Sequence, residues 1–185
     1  VTIGAMPPDS RHAGPADSPV PDAAITQLVE RIRSAAQQGT PLCIRGGGTK
    51  DFYGGPRIGV PLDTRPLAGV RSYEPSELFV TAGAGTPLAE LESLLAEQGQ
   101  CLPFEPPRFA NGGASGGTVG GTVGGMVAGG LGGAAGASVG AVRDYVLGAS
   151  LVNGRGQVLT FGGQVMKNVA GYDVSRVLAG SLGIL

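Results

Sequence analysis

Pro41-Leu42-Cys43-Ile44-Arg45-Gly46-Gly47-Gly48-Thr49-Lys50 is the stretch on which the reading of this chain turns. Three apolar residues after a proline suit a short buried strand, and the three glycines that follow free the backbone to leave it sharply. Consecutive glycines at such a place let successive N–H groups turn toward one point, a nest for an anion such as a pyrophosphate. Arg45 and Lys50 add positive field and the Thr49 hydroxyl adds a donor. The same pattern also suits a plain turn, so the loop must be weighed with its surroundings.

Upstream, Asp22 can cap a helix whose Ile25, Leu28, Val29, Ile32, Ala35 and Ala36 follow helical spacing, with Gly39 stopping it. Downstream, 58–63 and 78–82 read as strands. Thr86 is expected to cap a second helix with Pro87 at its first position and Leu88, Leu91, Leu94 and Leu95 on its buried face. Segments 145–152 and 157–161 flank Asn153-Gly154-Arg155-Gly156, a hairpin signal. Asp173 is expected to cap a last short helix containing Val174, Val177 and Leu178. Helices and strands mix without a strict βαβ rhythm, so the class is α+β or α/β with several sheets. Residues 1–21, with Pro7, Pro8, Pro15, Pro19 and Pro21, read as a disordered tail, leaving one domain over 22–185.

Composition narrows the function. Glycine supplies 35 of the 185 residues, against an ordinary share of about 7%, and it shows no three-residue period that would mean collagen. A hydrophobic share of 42% supports a core, and a net charge of −1 leaves no basic stripe for nucleic acid. His12 is the single histidine and sits in the tail, so neither a Ser–His–Asp triad nor a histidine-built metal site is expected. Cys43 and Cys101 lie far apart in apolar stretches and read as buried reduced thiols of a cytosolic protein. The first residues show no basic segment leading into an apolar one, so no signal peptide is read.

Several motifs dissolve on inspection. G-x-S-x-G at 113–117 and 136–140 lacks both a strand before it and a base, so neither copy is a nucleophile elbow. Gly83-Ala84-Gly85-Thr86-Pro87-Leu88 begins like a dinucleotide fingerprint but has Leu88 at its sixth position; a tight strand-to-helix turn is the better reading. Gly-Lys never occurs, which removes a Walker A loop. The uncharged stretch 109–142 repeats G-x-x-x-G at Gly121, Gly125, Gly129 and Gly133, yet its glycines weaken any spanning helix. Its 122–128 segment instead offers a second place for close backbone approach. Two glycine clusters in one chain fit a long ligand with a phosphate centre.

These segments resemble the FAD-binding domain of the vanillyl-alcohol oxidase and p-cresol methylhydroxylase (PCMH) type. They are joined by 73–78, 82–88, 102–107 and, most specifically, Val142-Arg143-Asp144-Tyr145-Val146-Leu147-Gly148 with 161–173. Within it they are similar to the FAD-binding subunits of bacterial glycolate oxidases, over about 23–185. The resemblance implies FAD held between two α+β subdomains, with the isoalloxazine facing a separate C-terminal substrate domain before which this chain is expected to be truncated. By the same resemblance, Arg45, Gly46, Gly47, Gly48, Thr49 and Lys50 wrap the pyrophosphate. Gly124, Gly125, Met126 and Val127 form a second flavin-contacting loop, and Gly180-Ser181-Leu182-Gly183 opens the final one. Many relatives attach FAD through a histidine in the first loop; none stands there, so non-covalent FAD is expected. Repeated Gly-Gly-Thr-Val units at 116–123 depart from the family pattern, and the later copy is favoured as the one at the flavin.

The resemblance further implies oxidation of glycolate, a small 2-hydroxy acid, to glyoxylate beside a second FAD subunit and an iron–sulfur subunit. It also implies a cytoplasmic location, with peripheral membrane association through the complex left open. A stand-alone D-lactate or other 2-hydroxy-acid dehydrogenase and a non-catalytic assembly or electron-relay subunit are the alternatives. No catalytic base and no metal ligand are assigned.

Overall fold

The computed structural model describes residues 2–4, 23–109, 120–163 and 173–184. Two cores organise them. The smaller forms where α1 (Ala23–Gln38) lies on a two-stranded parallel sheet of β2 (Leu42–Arg45) and β3 (Val60–Asp63). Leu28 and Ile32 of α1 close on Leu62, with Leu42 against them. The helix ends as its sequence requires: Gly39 turns to φ +64 and Thr40 N donates to Ala35 O at 2.9 Å. Parallel strands need a long crossover between them. Here that crossover, 46–59, carries the glycine loop.

The larger core underlies a five-stranded antiparallel sheet in the order β4-β5-β1-β6-β7. Its strands are β1 (Thr2–Gly4), β4 (Val70–Glu74), β5 (Phe79–Ala82), β6 (Val146–Val152) and β7 (Val158–Gly162). Val80 and Val146 of the sheet meet Leu88, Leu91 and Leu95 of α2 (Leu88–Glu97) and Val123, Met126 and Val127 of α3 (Val123–Gly129), with Phe104 fully enclosed. Short helices α4 (Gly136–Val139), α5 (Val142–Tyr145) and α6 (Val174–Val177) complete the fold. The expectation of two α+β subdomains therefore describes the molecule.

The hairpin and the last cap form as read. Asn153 Oδ1 accepts from Arg155 N and Gln157 N, each at 3.0 Å, which fixes the β6–β7 turn. Asp173 accepts from Arg176 N at the start of α6.

Four expectations are corrected. The tail reading fails at its start, because Thr2–Gly4 form β1 between β5 and β6, with Ile3 opposite Val80 and Val146. Thr86 caps nothing: its fully buried Oγ1 accepts from Gly69 N (2.9 Å) and donates to Gly69 O (3.2 Å), and Pro87 precedes α2 without a side-chain cap. Cys101 is exposed and Cys43 only half-buried, so neither is a core thiol. The 124–127 segment is helix α3, not a loop. The second G-x-S-x-G forms the turn of α4 and puts Ser138 on the surface. The expected Asp22 cap, the first G-x-S-x-G, the 116–119 repeat, His12 and most of 161–173 lie outside the described residues.

Candidate functional site

The glycine crossover of the small subdomain faces α3 and the 180–183 turn of the large one across a cleft of about 280 Å³. Arg45, Gly46, Gly47, Gly48, Thr49 and Lys50 all line it, opposite Gly125, with Leu182 at the end. The remaining proposed contacts take other places. Met126 and Val127 are 2% and 5% exposed and point into the core. Gly124 is pressed against the 83–86 turn: its N–H donates to Ala84 O at 2.8 Å, and a Cβ there would stand 2.8 Å from that of Ala84. Gly180 and Gly183 do not line the cleft as Leu182 does; the Leu182 N–H is tied to Ala128 O at 2.9 Å and Gly180 N donates to Val127 O at 2.9 Å. Ser181 Oγ accepts from Gly183 N within the same turn.

The first turn of α3 is closed to an anion. Val123 N donates to Thr86 O, Gly124 N to Ala84 O, Gly125 N to Thr122 Oγ1 and Met126 N to Thr122 O. Its helical N–H groups are therefore spent, and any anion in the cleft is met by the crossover loop. On that loop the backbone N–H groups of Gly46, Gly48, Thr49 and Lys50 meet no acceptor among the described residues. Thr49 is 4% exposed and its hydroxyl likewise has no partner there. A buried unpaired hydroxyl costs free energy that a ligand can recover.

Among the described residues, three cations and one carboxylate line the cleft. Asp51 Oδ2 accepts from Arg45 Nη2 at 2.8 Å and from Arg57 Nη1 at 2.6 Å. The hydrogen bond from Arg45, with both guanidinium charges, holds the Asp51 carboxyl below the ordinary range, and the same bond and the Asp51 charge raise Arg45. Lys50 is different. It has no carboxylate partner among the described residues; its Nζ lies 5.9 Å from the Phe109 ring centroid, and burial pushes the ammonium below its usual value. Its stem lies on α3, where a Cβ at Gly129 would come 3.3 Å from Lys50 Cε. That contact accounts for Gly129, whereas a Cβ at Gly125 would meet Thr122 Oγ1 at 3.3 Å. Among the described residues, no helix is long and apolar enough to cross a membrane.

A family model described as an FAD binding domain matches residues 23–162, most of the chain. The chain belongs to that FAD-binding family. Over 158 residues, 85% of this chain, it is 46% identical to glycolate oxidase subunit GlcE of Escherichia coli K12. It spans only 43% of that relative's length. A shorter match, 46% identical over 43 residues, covers 23% of the chain and 9% of glycolate oxidase subunit GlcD of Bacillus subtilis. Among solved structures, alkyldihydroxyacetonephosphate synthase aligns over 85% of this chain and 27% of its own with a TM-score of 0.62 at 21% identity. The 6-hydroxy-D-nicotine oxidase of Arthrobacter nicotinovorans aligns over 75% and 28% with a TM-score of 0.59 at 22% identity. These structural likenesses speak for the fold alone.

The FAD-binding fold is thus in place, and the residues present fit a diphosphate. Thr49 Oγ1 and Lys50 Nζ converge beside Gly121, where an added Cβ would stand 3.3 and 3.2 Å from them. Asp51, Tyr53 and Arg57 also line the cleft and were not singled out from sequence; Gly129, noted only for its G-x-x-x-G spacing, lines it too. The Gly54-Gly55 pair that follows Tyr53 was the available signal that the loop runs on past Lys50.

Proposed function

We propose that this chain holds FAD non-covalently, with the pyrophosphate on the crossover loop, as the flavin-binding part of a glycolate oxidase subunit. The observation that carries the reading is the cleft itself. Among the described residues, a buried hydroxyl with no partner, an ammonium with no carboxylate and the unmet N–H groups of Gly46, Gly48, Thr49 and Lys50 face one space, in a chain 46% identical to a glycolate oxidase subunit. In it Gly46 to Lys50 bind the diphosphate, Thr49 Oγ donates to a phosphate oxygen, and Lys50 supplies the charge. Gly125 and Gly129 leave room for the ligand's edge, and Leu182 shields it from water. Bound FAD supplies redox chemistry to a small 2-hydroxy acid such as glycolate.

In the whole protein this subunit works beside a second FAD subunit and an iron–sulfur subunit that accepts the electrons, in the cytoplasm. Copurified flavin tests the reading directly. Acid precipitation is expected to leave all of the flavin in the supernatant, as FAD; flavin remaining on the precipitate, or no flavin on protein reconstituted with FAD, sinks it. Glycolate-dependent dye reduction by the assembled subunits, absent when this one is omitted, tests the activity.

A further inference from the structure

Among the described residues, Asp51 is the one carboxylate that lines the cleft and works against an anion there. Its carboxylate engages two of the three cations lining that space: Arg45 Nη2 at 2.8 Å and Arg57 Nη1 at 2.6 Å reach the same oxygen, and Arg45 Nε stands 3.4 Å from the other. Arg45 gets there by folding back across Gly48. That glycine sits at φ +72, and a Cβ on it would lie 2.8 Å from Arg45 Cζ. The loop's third glycine is therefore shaped around its own arginine. Among the described residues, Lys50 is left as the cation without a carboxylate.

From this arrangement we infer that Asp51 is a specificity-determining residue, holding the cleft for the diphosphate of a dinucleotide and against nucleoside triphosphates and other polyphosphates. The inference rests on the FAD reading above and concerns how much negative charge the same cleft accepts. A dinucleotide's diphosphate is esterified at both ends, and Lys50, Thr49 and the loop N–H groups match its charge. A triphosphate brings more charge and a terminal phosphate. That phosphate meets guanidinium groups already committed to Asp51, and the carboxylate itself repels it; like charges set against each other in a binding site act as selection against the wrong partner.

The test uses the purified protein and its Asp51→Asn and Asp51→Glu variants, with binding of FAD, ATP and inorganic tripolyphosphate each measured by calorimetry. Asp51→Asn is expected to tighten ATP and tripolyphosphate by about tenfold or more while FAD changes by less than about threefold, and Asp51→Glu to restore the original preference. An unchanged ratio of FAD to ATP affinity overturns the proposal. So does a parallel loss of all three ligands, which would mark Asp51 as merely structural. Wild-type protein that binds none of the three sinks the FAD reading instead. Wild type that binds tripolyphosphate but not FAD sinks both.

Discussion

The three loop glycines look alike in sequence and differ in what they are for, which makes Gly46 and Gly47 a sharp pair to substitute. An added Cβ at Gly46 would stand 2.6 Å from Thr122 Oγ1 and 3.4 Å from its Cγ2. Thr122 is 6% exposed and caps α3 by accepting from Gly125 N, so it has nowhere to go. Gly46→Ala must push the loop off α3 or break that cap. Overpacking costs about 1–3 kcal/mol and a lost cap about 1 kcal/mol, so about 2 kcal/mol is expected for the protein without ligand. For a chain of this size that is a fall in Tm of about 4–8 °C.

At Gly47 the nearest atoms to an added Cβ are Thr49 Cγ2 at 3.9 Å and Thr122 Cγ2 at 4.0 Å, ordinary contact. Gly47→Ala should leave the ligand-free Tm within about 2 °C of wild type, since a harmless site moves stability by about 0.5 kcal/mol or less. With FAD on the loop, it should weaken FAD about tenfold or more, because the new methyl stands in the cleft. A thermal-shift series with and without FAD reads both effects. Thr122→Ala, which removes the clashing oxygen, should recover at least about 1 kcal/mol of the Gly46→Ala cost in a double-mutant cycle. Strict additivity of the two substitutions, or a Gly47→Ala variant as unstable as Gly46→Ala, refutes the steric argument.

Thr49→Val removes a buried hydroxyl that has no partner among the described residues, so the ligand-free protein should be unharmed or slightly stabilised in urea. FAD affinity should fall by about fivefold to tenfold, and a clear loss of ligand-free stability speaks against the assignment. Burial lowers the Lys50 pKa. The unfolded chain therefore holds this proton more tightly than the folded one, and the group's burden on stability eases as pH rises through its folded pKa. FAD affinity runs the other way, weakening over that window just below the ordinary lysine range; a Lys50→Met variant should show no such slope in a fluorescence titration. Thr86→Val leaves the Gly69 N–H without its acceptor and should cost about 1–3 kcal/mol in denaturant, with Thr86→Ser recovering most of it.

What was legible in the sequence was local. The spacing of Leu28, Ile32 and Ala35, the Asn153 turn and the Gly46 to Lys50 run each carry their own structural instruction within a few residues. The misreadings came from partners remote in sequence. Thr86 has the chemistry of a cap and spends it on Gly69, seventeen residues away. Gly124 is glycine because Ala84 lies against it, and Met126 and Val127 sit in the core because α3 turns that side toward α2 and the sheet. Three residues, Thr2 to Gly4, show no period of their own and become a strand only because β5 and β6 leave a place between them. At the site, the glycines announced the loop, but the pairing of Asp51 with Arg45 and Arg57 depends on how the crossover folds back on itself.

The cleft wall on one side belongs to a core of Leu28, Ile32 and Leu62, and on the other to a core around Phe104 and Val123. Its width is therefore not a property of either half but of how they stand to one another. Anything that grips both walls acts as mortar in a masonry joint: it bears no load within either block, yet it decides whether they move as one. Ligand removal should accordingly show first as a loss of cooperativity, the unfolding of the small α1–β2–β3 half parting from that of the five-stranded half before either block itself weakens.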